Sequence, residues 1–74
     1  MFNVSVSIET YQLQDGRFGV DFNISENRGH ELVLTPFYSN EYFQTVEEAK
    51  KHGKNLAISK INSRYPEGTK YRIE

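Results

Sequence analysis

The chain contains no cysteine, which excludes a disulfide framework, a zinc-thiolate centre, an iron–sulfur cluster and a thiol nucleophile. Packing alone must hold the fold. No uninterrupted apolar run approaches the ~18 residues of a membrane span, and Met1-Phe2-Asn3-Val4-Ser5 has neither the basic nor the apolar segment of a signal peptide. The expected compartment is therefore the cytoplasm, with no membrane partner. Asn3-Val4-Ser5 and Asn23-Ile24-Ser25 match the glycosylation sequon, a pattern without meaning in that compartment. Catalytic signatures are missing as well: there is no Gly-x-Ser-x-Gly elbow, no P-loop and no Gly-rich turn entering a helix.

Histidine is scarce, with only His30 and His52. Near His52 only Glu48 stands at a metal-ligand spacing, and Glu48 is committed to a helix cap, so no metal site is expected. Asp15 and Asp21 fall on positions explained by a turn and a solvent-facing strand, which leaves no paired-carboxylate acid/base site. The expectation is a protein without catalytic residues, cofactor or metal.

What is present is globular: 36% hydrophobic, 14% aromatic and 26% charged residues in a 74-residue chain, a length that holds one domain, residues 1–74. Strict alternation writes the first strand, with Phe2, Val4, Val6 and Ile8 inward and Asn3, Ser5, Ser7 and Glu9 outward. The second strand repeats it with Phe18, Val20, Phe22 and Ile24 inward. Asp15-Gly16 between them suits a two-residue type I′ hairpin. That register would set Glu9 against Phe22, so a β-bulge near Glu9-Thr10 is expected, returning Ile8 to Phe22 and Val6 to Ile24.

A third strand over His30 to Thr35 turns Leu32 and Leu34 inward if an odd-length loop precedes it, with Gly29 at positive φ, and Pro36 stops its ladder. The outward face then carries Ser5, Ser7, Asp21, Asn23, Ser25, Glu31 and Thr35, with Val33 its one sizeable apolar group. Such a face offers no aromatic platform for stacking bases.

Thr45-Val46-Glu47-Glu48 reads as a capping box, with Glu47 and Glu48 suited to the positive end of the helix. A helix of about 16 to 19 residues begins at Val46, with Val46, Ala49, Gly53, Leu56, Ala57 and Ile61 on one apolar stripe. Pro66-Glu67-Gly68 ends it, and Thr69 to Ile73 alternates as a short fourth strand with Tyr71 and Ile73 on one side. This strand should lie parallel beside strand one or three. The predicted fold is α+β and two-layered: a three- or four-stranded, mainly antiparallel sheet in the order β-β-β-α-β, with one helix on one face.

Charge is unevenly distributed. Residues 1–49 carry a net −6 and residues 50–74 a net +5. Lys50, Lys51, Lys54, Lys60 and Arg64 could contact phosphates, or simply solvate the outer helix face and complement its negative end. Aromatics crowd the stretch from Pro36 to Gln44; Phe43 and Phe37 can close the end of the core, whereas Phe37, Tyr38 and Tyr42 also make the best candidate surface for a protein partner.

Asp15-Gly16, Phe18, Asn27, Gly29, Glu31, Leu34, Tyr38, Ala49 and Gly53 together resemble the YegP-like family of small uncharacterised bacterial proteins, built of β-β-β-α units. The likeness covers about residues 13 to 55, implies that fold and dimerisation, and carries no activity or site. The sequence thus leads to a small non-catalytic interaction or regulatory module with a protein partner or a second copy of itself. One alternative is a nucleic-acid-associated protein using the basic helix face; another is a small hydrolase or ligand-binding domain using His30 or His52.

Overall fold

Alternating residues build an antiparallel hairpin from β1 (Val4–Gln12) and β2 (Phe18–Asn27). The computed structural model describes residues 4–73, so the expectations for Phe2 and Asn3 lie outside the described residues. Val6 faces Ile24 and Ile8 faces Phe22, the pairing expected, but no bulge produces it. Pairing runs unbroken to Gln12 opposite Phe18, and the odd residue sits in the turn. The Leu13 amide donates to the Arg17 carbonyl at 2.8 Å, and the Gly16 amide to the Leu13 carbonyl at 3.0 Å. Gly16 takes φ +94° while no non-glycine residue has a positive φ among the described residues. Instead of the two-residue type I′ turn, the chain makes a three-residue loop closed by a left-handed glycine. Placing the extra residue at the end of the ladder leaves no mid-strand group unpaired, which a bulge would have done.

The second turn is also corrected. The Arg28 amide donates to the Glu31 carbonyl at 2.9 Å, so the loop is the even pair Gly29-His30, with Gly29 at φ +84° and the His30 amide donating back to the Arg28 carbonyl at 3.1 Å. An even loop reverses the expected facing of β3 (Leu32–Tyr38). Thr35 faces Ile24 and Phe37 faces Phe22 on the core side, with Val33 on the same side opposite Glu26. Leu32 and Leu34 turn to the opposite side, and Thr35 and Val33 leave the solvent-facing set in which they were expected.

Pro36 does not end the strand; it pairs with Asn23, and β3 continues to Tyr38. The reason is its place in the ladder. Arg28 bonds Glu31, and the Ser39 amide reaches the Val20 carbonyl at 3.3 Å, so odd-numbered residues of this strand turn their polar groups toward β2 and even-numbered ones toward the free edge. Proline's missing donor is lost where no partner strand needs it.

The helix α1 spans Val46–Arg64 and begins where expected. The Thr45 hydroxyl oxygen accepts from the Glu48 amide at 3.2 Å and donates to Glu48 Oε1 at 3.0 Å, a variant of the capping box in which the carboxylate meets the hydroxyl. Ala49, Gly53, Ala57 and Ile61 form its buried stripe, packed over Val4, Val6, Val20, Phe22 and Ile24. Each fully buried side chain of the size of Phe22 or Ile61 contributes about 1.5–3 kcal/mol. Small residues let the helix lie close: a Cβ added at Gly53 would stand 2.6 Å from Val20 Cγ2.

At the far end, the Tyr65 amide donates to the Ile61 carbonyl at 3.0 Å and the Tyr65 hydroxyl to Glu26 Oε1 at 2.9 Å. The chain then turns at Gly68 and adds β4 (Tyr71–Ile73) parallel to β1. The sheet order is β3-β2-β1-β4, an α+β architecture with the helix on one face. Because β4 meets only Val4, Ser5 and Val6, β1 has no neighbour on that side from Ser7 onward among the described residues.

Candidate interaction surfaces

The reversed facing of β3 sets Leu32, Leu34, Pro36 and Tyr38 in one line on the sheet face opposite the helix. Leu32 is 63% exposed, Leu34 61% and Tyr38 72%. Their cross-strand neighbours on β2 are polar: Asn27, Ser25, Asn23 and Asp21. The result is an apolar stripe along an edge strand, with a hydrophilic strip beside it. The hydroxyls of Ser5 and Ser25 hydrogen-bond at 2.7 Å in the middle of that strip. An open depression of about 440 Å³ lies there, bordered by Leu32, Asn27, Lys70 and Arg72.

The residues expected to form an aromatic partner surface are not brought together. Phe37 stands on the core side, stacked on Phe22 with ring centroids 5.0 Å apart and planes 17° from parallel. Tyr38, its neighbour in sequence, points to the opposite face, as strand geometry demands. Tyr42 lies at the turn end, where the Arg17 guanidinium sits 5.1 Å from its ring centroid. Arg17 also bonds Asp15 Oδ2 through Nε at 2.8 Å, and its backbone amide, with the guanidinium second, holds the Asp15 carboxyl below its ordinary range. Burial, then the Asp21 carboxylate and Tyr42, push the Tyr11 phenol up.

The five bases of the helix divide into two groups. Lys60 Nζ and the Arg64 guanidinium lie 5.5 and 5.7 Å from the Phe37 ring centroid, where cation–π attraction and their aliphatic stems cover the core edge. Lys50, Lys51 and Lys54 instead surround a groove of about 570 Å³ with Ile8 and Ile73. A single basic stripe along α1 is therefore absent.

His52 packs on Phe43 with centroids 4.9 Å apart, and its Nε2 comes within 2.9 Å of Glu41 Oε2, without the angles of a hydrogen bond. Its acidic neighbour is thus Glu41 from the loop rather than Glu48, which stays with Thr45. His30 is exposed in the second turn. No cluster of three or more His, Asp or Glu side chains able to hold a metal ion occurs among the described residues. Nor is any helix among them long and apolar enough to cross a membrane.

Sequence reasoning missed Leu32 and Leu34 as surface residues. The usable signal was the Gly-x pair at 29–30, since a glycine leading two central residues suits a two-residue hairpin loop. No family model matches the chain, and neither a curated protein nor a solved structure matches it.

Proposed function

We propose that the chain is a small non-catalytic interaction module of the cytoplasm whose contact surface is the outer side and free edge of β3, and that its partner there is a second copy of itself. The observation that carries this reading is the line of Leu32, Leu34 and Tyr38, each more than half exposed on one edge strand. Single exposed apolar residues are ordinary, whereas a contiguous line of them marks a contact surface. The segment Leu32–Tyr38 contains no charged residue, so the strand meets its own copy without like-charge repulsion. An antiparallel pairing about a two-fold axis at Leu34 sets Leu32 against Pro36 of the other copy and uses the outward backbone groups of Leu32 and Leu34.

Light scattering over a dilution series tests this reading. A dimer is expected, converted to monomer by the double substitution Leu32→Ser/Leu34→Ser with its thermal unfolding little changed. A chain that stays monomeric at all concentrations, or a dimer indifferent to the substitutions, overturns it. The alternative, phosphate contact by Lys50, Lys51, Lys54, Lys60 and Arg64, draws its support from the first three, which converge on one groove; Lys60 and Arg64 are engaged with Phe37.

A further inference from the structure

The edge of the sheet opposite β3 is built differently. Beyond Val6 the strand β1 has no partner on its outer side among the described residues. Because the Leu13 amide bonds the Arg17 carbonyl, odd-numbered residues of β1 turn their backbone groups toward β2. Ile8, Thr10 and Gln12 therefore turn theirs toward open solvent. The stretch Ser7–Gln12 is about 20 Å long at ~3.3 Å per residue.

Beside this edge lies the groove bordered by Ile8, Ile73, Lys50, Lys51 and Lys54. None of the three lysines has a carboxylate within ion-pair distance among the described residues. Glu47 and Glu48 are the acids nearest in sequence; Glu48 is held by Thr45, and three lysines against these two acids leave the cluster with a positive balance. Three features thus coincide: unmet backbone donors and acceptors in strand spacing, an apolar floor, and concentrated positive charge.

We propose that this edge is a docking site for an extended acidic peptide that adds a strand to β1 in the slot beyond β4. Backbone bonds to Ile8, Thr10 and Gln12 would hold it, alternate apolar side chains would rest on Ile8 and Ile73, and carboxylates would meet Lys50, Lys51 and Lys54. The backbone edge decides between an acidic peptide and a nucleic acid. Phosphates accept hydrogen bonds but cannot donate to the open carbonyls, whereas an extended polypeptide satisfies both at the spacing the strand presents. The site is independent of the β3 surface.

The test uses the isotope-labelled 74-residue chain and a blocked octapeptide alternating valine and glutamate, followed by NMR. The amides of Ile8, Thr10 and Gln12 are expected to shift and to become protected from solvent exchange. Lys50→Glu/Lys54→Glu should weaken binding at least about tenfold, and the same peptide with lysine in place of glutamate should not bind. A fully N-methylated peptide should bind far more weakly, a readout that needs no variant to fold. Undiminished binding of the N-methylated peptide overturns the proposal. So does a short oligothymidylate that binds more tightly than the peptide while the edge amides stay unmoved, or edge amides unmoved at millimolar peptide.

Discussion

Phe22 and Phe37 stack face to face across β2 and β3, 5.0 Å between centroids, and this contact separates Phe37 from its neighbour Tyr38 in every respect that matters for function. Phe37→Ala removes a ring from the core margin and should lower stability by about 2–3 kcal/mol, below the range for a fully buried phenylalanine because Phe37 is only half-buried. Tyr38→Ala should change stability by no more than about 0.5 kcal/mol while weakening self-association. Urea denaturation, paired with light scattering, checks both; equal losses of stability for the two would contradict the facing described above.

Gly53→Ala sets two effects against each other. Alanine improves helix propensity by about 1 kcal/mol, but its Cβ would lie 2.6 Å from Val20 Cγ2, and valine, branched at Cβ and wholly buried here, cannot swing aside. Overpacking costs about 1–3 kcal/mol, so net destabilisation of about 1 kcal/mol is expected. Adding Val20→Ala, which opens the space, should make the second substitution less harmful in the Gly53→Ala background than alone. A double-mutant cycle by thermal unfolding measures that coupling.

Pro36→Thr supplies the one backbone donor missing from the free edge of β3. Stability should move by less than about 0.5 kcal/mol, yet the edge becomes a continuous template for pairing. Light scattering should show tighter dimerisation or higher oligomers, and an unchanged dimer constant would mean that β3 does not pair through its backbone.

Much of the architecture is legible from residue pattern: the alternation of β1 and β2, the cap at Thr45 and the helix from Val46 follow from local chemistry, whereas the short last strand is legible only as a strand parallel to β1 or β3, its neighbour being a long-range fact. Facing was harder. Asp15-Gly16 and Gly29 announce turns, but loop length differs by one residue among turns that use the same residue types, and one residue exchanges the two faces of a strand. The candidate site suffered most, since Leu32 and Leu34 look like core until the Gly29-His30 loop is known to be even. Phe37 and Tyr38 form one aromatic cluster in the sequence, but a strand sends neighbours to opposite sides. The division of the basic residues follows from where β4 ends and where Phe37 lies, both of which are long-range facts.

The Tyr65–Glu26 hydrogen bond ties the helix end to β2 and should be visible in the pH dependence of stability. Arg28 first, then Tyr65, hold the Glu26 carboxyl below its ordinary value. A carboxyl depressed in the folded state contributes stability above its unfolded value and loses it as pH falls through the folded one. Tyr65→Phe should therefore destabilise the protein at neutral pH, with the difference from the parent chain shrinking in acid as Glu26 is protonated. Burial, then Glu26, push the Tyr65 phenol up, so a spectrophotometric titration should show it ionising later than an exposed tyrosine. A stability difference that stays constant into acid would mean that the loss comes from packing instead.

The two-residue loop at Gly29-His30 has a consequence for how such a chain can change over generations. A single codon inserted between Arg28 and Glu31 would carry Val33, Thr35 and Phe37 outward and bring Leu32, Leu34 and Tyr38 under the helix, without altering any residue of the strand itself. Surface character here is inherited through the length of a bend. Insertions and deletions at this point, rather than point substitutions along β3, are the shortest route by which a lineage could gain or lose the sticky side of its sheet.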